Sequence, residues 1–131
     1  MNFIYDPIRK KKLKQTPEEK IRQFFIRYLT SSLHYPKSAL RIEKKLYQTQ
    51  KWQRKRPDIV VYDYLCRPFI VVECKAENVN ISNDDIIQAM KYNKHLNAPY
   101  VIITNKKETF CWELKDNKYT PTKIPNYTNT K

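Results

Sequence analysis

No glycine occurs among the 131 residues. Walker-type and Rossmann-type phosphate loops need glycine where a Cβ would collide with phosphate, so nucleotide sites of that kind are excluded. Cysteine is scarce and odd in number: Cys66, Cys74 and Cys111 lie far apart without CxxC spacing. They suit neither a disulfide framework nor a zinc site and point to a reducing, cytoplasmic setting. The two histidines, His34 and His95, are too few for a His-rich metal site. Long apolar runs are missing as well. None approaches the ~18–20 residues of a membrane span, and no signal-peptide pattern opens the chain, so neither a membrane partner nor secretion is expected.

The length fits one domain, and 40% hydrophobic with 30% charged residues describes a folded chain rather than a disordered one. Charge of one sign dominates. Lys and Arg number 26 against 13 Asp and Glu, a formal net charge of +13, which favours a polyanionic partner, nucleic acid above all. The basic residues cluster in Arg9–Lys14 and Arg41–Arg56, the second interleaved with Tyr47 and Trp52, aromatics suited to stacking on bases. A single lysine run is by itself an ordinary solvated face; the whole-chain imbalance is what favours nucleic acid.

Residues 1–15 read as a basic, poorly ordered arm, 16–115 as the folded domain and 116–131 as an irregular tail. Thr16 is a helix N-cap with Pro17 at the first helical position and Glu19 completing an S/T-x-x-E capping box. This helix should run to about His34, where Tyr35-Pro36 stops it. Ile21, Phe24, Phe25, Tyr28 and Leu29 share one of its faces. Ala39–Gln48 alternates as a half-buried strand. Ile59–Tyr64 and Phe69–Cys74, apolar on nearly every position, read as central strands joined by a short turn at Leu65–Pro68. Ser82 caps a second helix with Asp84 and Asp85 in its first turn, ending near Leu96–Asn97. Tyr100–Thr104 and Thr109–Leu114 are further strands around a turn at 105–107. The order predicts an α/β (α+β) fold, a mixed central sheet flanked by helices.

Pro57-Asp58 and Glu73-Cys74-Lys75 are the informative segments. Singly, each is explicable as an ordinary strand end. If Tyr64 pairs with Phe69, however, the antiparallel ladder puts Asp58 opposite Lys75 and Val60 opposite Glu73. Opposed residues share a face and side chains alternate, so Asp58, Glu73 and Lys75 should converge at one end of the hairpin. Neighbouring carboxylates on an apolar sheet repel unless a cation joins them. Mg²⁺, which takes oxygen ligands, suits the position. A lysine beside it can orient or deprotonate a water or stabilise charge building on phosphorus. Phosphodiester hydrolysis needs these parts.

These residues resemble the PD-(D/E)xK nuclease superfamily, and within it the N-terminal nuclease domain of type I restriction enzyme R subunits. The resemblance spans roughly 16–115. It rests on Pro17-Glu18-Glu19, Arg22-Gln23, Asp58-Ile59-Val60-Val61, Val72-Glu73-Cys74-Lys75, Gln88-Ala89-Met90-Lys91-Tyr92 and Ala98-Pro99-Tyr100 in that order. No one of these motifs is specific; the ordered set is. The resemblance implies a restriction-endonuclease-like α-β-β-β-α-β core. It makes Asp58 and Glu73 metal ligands, with the Cys74 backbone carbonyl assisting, and Lys75 the catalytic lysine. It also implies a first-helix glutamate. Glu19 has a structural explanation in the capping box. Glu18 lies about 30° from the centre of the apolar arc at about 100° per residue, so Glu18 is the expected acid. Gln88 and Tyr92, four apart on the second helix, are implied to touch substrate or orient Lys75, with plain surface positions the alternative. His95, on the same stripe, reads as an ordinary surface histidine. Arg22 is expected to pair with Glu18 or to contact phosphate, and Trp112 to be core.

The implied activity is Mg²⁺-dependent endonuclease cleavage of DNA, with Mn²⁺ able to substitute. RNA remains an alternative substrate, and a non-catalytic nucleic-acid-binding or accessory subunit the alternative class. Type I R subunits carry a helicase motor for which 131 residues leave no room. The chain would therefore act alone, as a homodimer, or within a larger restriction or defence complex.

Overall fold

The computed structural model describes residues 2–42 and 57–127. The sequence cluster 41–56 therefore lies almost wholly outside the described residues, with Tyr47 and Trp52. A six-stranded sheet forms the body, in the order β3 (Leu40–Arg41), β4 (Ile59–Tyr62), β5 (Pro68–Cys74), β6 (Tyr100–Thr104), β7 (Thr109–Lys115) and β8 (Lys118–Pro121). Only β5 and β6 run parallel; every other neighbour is antiparallel. A parallel neighbour demands a long crossover, and helix α2 (Asn83–Leu96) supplies it. With α1 (Pro17–Arg27) ahead of the sheet, the expected α-β-β-β-α-β order and mixed α+β class are found.

Alternation along the strands sends two sets of side chains to opposite faces. Ile59, Val61, Ile70, Val72, Cys74 and Ile102 pack with Ile21, Phe25, Ile26 and Leu29 of the first helical segment. Val101 and Ile103 meet Ala89 and Ile86 of α2, with Trp112 and Tyr119 partly buried beside them. Strands apolar on both sides are thus covered on both sides. Beyond Arg27 the chain continues as a short π-helical segment, Tyr28–Ser32, and turns at His34, held at φ 65°.

Three expectations need correction. Residues 3–14 are not a poorly ordered arm: β1 (Phe3–Asp6) and β2 (Lys11–Lys14) pair as an antiparallel hairpin. Its turn is built on Asp6, whose Oδ1 accepts from the amides of Ile8 and Arg9 at 2.8 and 3.0 Å. Ile8 also packs against the main core, so charge density alone misled. The tail contains β8, returned along β7 by Asp116 and Asn117 at φ 52° and 62°. Asp and Asn tolerate these left-handed angles better than most residues, and a two-residue turn with both φ positive matches the twist of the strands it joins. The β4–β5 register lies two residues from the expected one, with Ile59 facing Val72 and Val61 facing Ile70. Asp63 ends β4 early and organises the 63–67 loop: its Oδ1 accepts from the amides of Leu65 and Arg67, both at 2.9 Å, and a bulge follows Val61. A two-residue displacement preserves which face each side chain takes.

Asp6 is fully buried and ion-paired with Arg9. Burial pushes its carboxyl up, but the amide and guanidinium of Arg9 and the amide of Ile8 outweigh it, leaving the pKa below its ordinary 3.8. A depressed folded pKa stabilises above the unfolded value and is lost as pH falls through the folded one. Urea unfolding followed from pH 7 to pH 2 is expected to show stability declining below about pH 4. Asp6→Asn should cost about 1–3 kcal/mol at neutral pH and flatten the acid decline; an unchanged acid profile would mean that Asp6 does not latch the hairpin.

Candidate active site

The site grows from the point where β4 begins and β5 ends. Chain direction brings Asp58, just before β4, beside Glu73 and Cys74, the last residues of β5. The Asp58 carboxylate closes this strand end: Oδ2 accepts from the Cys74 amide at 2.7 Å. Its Oδ1 accepts from Arg22 Nη2, also at 2.7 Å. Arg22 reaches in from α1, and its other terminal nitrogen, Nη1, donates to Glu19 Oε1. One guanidinium thus joins a helix carboxylate to a sheet carboxylate.

Glu19 is held from three sides. Besides Arg22, Gln23 Nε2 donates to Oε2 at 2.9 Å, and Arg9 Nη2 lies 3.2 Å from both oxygens. Asp6, Arg9, Glu19, Arg22 and Asp58 therefore form a continuous chain of alternating charge from the hairpin to the sheet. Glu19, Gln23, Asp58 and Glu73 are all buried, an arrangement that is costly unless charges are paired. Burial works against the Arg22 cation, but the Asp58 hydrogen bond and the charges of Asp58 and Glu19 outweigh it, so its pKa is raised. At Cys74, wholly buried, desolvation pushes the thiol up, the charges of Asp58, Glu73 and Glu19 add to it and Arg22 opposes. All four charged groups thus act on one small volume.

Lys75 stands two residues beyond Glu73 along the chain. Its Nζ lies 3.2 Å from Asp85 Oδ1 rather than across from Asp58 as the assumed register implied. Asp85 also closes a capping box with Ser82 at the start of α2. Burial pushes the Asp85 carboxyl up, yet the hydrogen bonds from Ser82 and Lys75 hold it below the ordinary value. Asp85, Gln88 and Tyr92 are spaced i, i+3 and i+7, one stripe of α2 that begins at Lys75. Gln88 is exposed and Tyr92 half-buried.

Helix α1 presents Glu18 differently from the expected inward orientation. Glu18 is exposed, and Glu19 is buried in the network. Thr16 Oγ1 does accept from the Glu19 amide at 3.0 Å, but the reciprocal half of the box is replaced: the Thr16 amide donates to Lys14 O, releasing the Glu19 carboxylate inward. Arg22 pairs with Glu19 and Asp58, not with Glu18. The apolar residues of α1 mark only part of its buried face; the polar part, Glu19, Arg22 and Gln23, adjoins it. Asp6 gave no signal in the sequence, and Arg9, Gln23 and Asp85 stood there only as part of a basic run, a family pair and a helix first turn. Arg9 and Gln23 meet at Glu19, and Asp85 meets Lys75. His95 is exposed, as expected of a surface histidine.

The family match decides the kinship. The chain belongs to the family described as Type I restriction enzyme R protein N terminus, which matches residues 17–126. No curated protein matches the chain. A solved structure described as a fragment of the HsdR subunit of a type I restriction enzyme from Vibrio vulnificus aligns with a TM-score of 0.48 and 21% identity. The alignment covers 70% of this chain and 18% of that one, so this chain spans under one fifth of that relative's length. The matched range contains the ordered motifs from Pro17 to Tyr100.

Removing Arg22 tests the network. Arg22→Met leaves Asp58 and Glu19 buried without their shared cation and is expected to cost about 3–5 kcal/mol in urea unfolding. Arg22→Lys should recover less than half of that, because one ammonium cannot reproduce a fork that serves two carboxylates. Full recovery by lysine would reduce the role of Arg22 to its charge.

Proposed function

We propose that the chain is a Mg²⁺-dependent nuclease domain of the PD-(D/E)xK kind that hydrolyses phosphodiester bonds in DNA. The observation carrying this reading is the hydrogen bond from the Cys74 amide to Asp58, which ties an acid ahead of one strand to the Glu-Cys-Lys segment ending the next. The donor set is carboxylate oxygen, the preference of a hard cation. Each Asp58 oxygen has one hydrogen bond and retains capacity to accept another interaction. Among the described residues no three acidic, histidine or cysteine side chains form a ready-made metal cage. That is compatible with Mg²⁺, which is usually held by one or two carboxylates together with waters and substrate phosphate.

Asp58 and Glu73 would hold the ion, with the Cys74 carbonyl assisting and Mn²⁺ able to replace Mg²⁺. When bound, the ion would polarise the scissile phosphate and offset the charge developing on it. Lys75, positioned by Asp85, presents its ammonium to a non-bridging phosphate oxygen and orients the attacking water. Arg22 holds Asp58 against the strand end. Gln88 and Tyr92 continue the Asp85 stripe along the approach to Lys75. Glu19 occupies the first-helix position in this scheme, and Glu18 faces solvent.

A non-catalytic nucleic-acid-binding or accessory module is the second reading. One observation favours it: Arg22 already supplies Asp58 with the positive charge that a metal ion would bring. Family membership supports a restriction-related role, within a larger complex or as a homodimer, under either reading. Cleavage of supercoiled plasmid, single-stranded DNA and RNA in Mg²⁺ or Mn²⁺ separates the two. Lys75→Ala and Asp58→Asn are each expected to slow metal-dependent DNA cleavage about 10²-fold or more. Equal nicking by wild type and Lys75→Ala would leave only the binding module.

A further inference from the structure

The β1–β2 hairpin presents a face that the proposed cleavage site does not use. Its register places Phe3 opposite Lys14 and Tyr5 opposite Lys12, and directly opposed residues share a face. Phe3 and Tyr5 are 58% and 57% exposed, very high for aromatic rings, and both lysines are exposed. The other face carries Ile4, Leu13 and buried Asp6. Burial of Asp6 against Arg9 removes the only acid of the hairpin from its surface. The outer face is thus two rings and two ammonium groups with no carboxylate among them.

We propose that this face binds an unstacked, single-stranded stretch of nucleic acid, with bases on Phe3 and Tyr5 and phosphates on Lys12 and Lys14. The inference rests on the nucleic-acid reading of the chain but not on cleavage. Residues two apart on a strand are about 7 Å apart, twice the 3.4 Å rise per base in duplex DNA. Neighbouring bases can each cover one ring only if they are separated to about double their duplex spacing. Every base has a π-face, so such stacking is tolerant of sequence, and flanking cations hold the backbone. A second copy of the chain is a poor occupant, because it would set Lys12 and Lys14 against like charges.

The hairpin is also fixed relative to the site. Arg9, in its turn, is bound to Glu19 of α1, which shares Arg22 with Asp58. A strand lying on the rings would therefore approach the β4–β5 end in a defined position rather than on a loose tether.

Fluorescence anisotropy with a labelled 20-nucleotide oligothymidine, and with a 20-base-pair duplex, tests this in EDTA, where no cleavage can occur. Joint Phe3→Leu and Tyr5→Leu substitution keeps an apolar strand and removes both rings. It is expected to weaken single-strand binding about tenfold or more while changing duplex binding less than twofold. Phe3→Tyr with Tyr5→Phe should restore wild-type affinity. Lys12→Ala with Lys14→Ala should weaken both ligands and reduce the single-strand salt slope by about 1.4. Unchanged single-strand binding without the rings, or equal losses on both ligands, would overturn the proposal. Absence of plasmid cleavage alongside selective loss of single-strand binding would remove the nuclease reading and leave this one standing.

Discussion

Much of the molecule depends on one guanidinium. Arg22 sits between Glu19 and Asp58, and without it two buried carboxylates would lack the cation they share. The cost of burying an ion pair is repaid only when geometry and remaining hydrogen bonds are good. Here Gln23, Arg9 and the Cys74 amide satisfy the other carboxylate oxygens. The same contacts that make the network tolerable also set the position of Asp58 relative to β5. A buried polar cluster of this kind contributes less to net stability than an apolar core of equal volume; what it specifies is where each charge lies.

Two helix-capping arrangements decide where the acidic side chains around this network go. The parallel pairing of β5 with β6 requires a crossover, and the crossover helix begins with the Ser82–Asp85 capping box. Asp85 therefore serves two purposes: it closes the helix N-terminus and fixes Lys75 at 3.2 Å. On the other face, Thr16 caps α1 from a single side, which leaves the Glu19 carboxylate available to Arg9 and Arg22. One complete box and one incomplete box explain why Asp85 stays at a helix end while Glu19 enters the interior.

Legibility in the sequence followed how local each determinant was. The second helix was readable because Ser82, its acidic first turn and Asn97 before Pro99 are all near one another in the chain, and the helix runs Asn83–Leu96. Tyr100–Thr104 was readable for the same reason. The alternation of β4 and β5 survived a register error because the displacement was two residues and strand parity is two. What was not readable depended on distant partners. Glu19 resembles a capping residue until Arg9, ten positions earlier, and Arg22 are placed beside it. The hairpin resembles a charged arm until Asp6 is seen to organise its turn. The loop at Asp63 shows the limit of turn placement: one side chain accepting two amides moved the register.

The distribution of acids bears on partner choice more directly than net charge does. The chain has 13 acidic residues, and among the described residues four of them, Asp6, Glu19, Asp58 and Glu73, are buried. Interior placement leaves the exposed surface more basic than the +13 total suggests, which favours contact with a polyanion there. In the proposed site the situation differs, since Asp58 and Glu73 lie at the strand end assigned there to the phosphates. A polyanion drawn to such a surface is repelled at that point unless another positive charge intervenes. Arg22 is committed to the carboxylates behind it and Lys75 to Asp85, so neither offsets the full charge. On the proposed nuclease reading a divalent cation bridging carboxylate and phosphate would supply what charge the two side chains leave over; on the binding reading Arg22 alone neutralises Asp58.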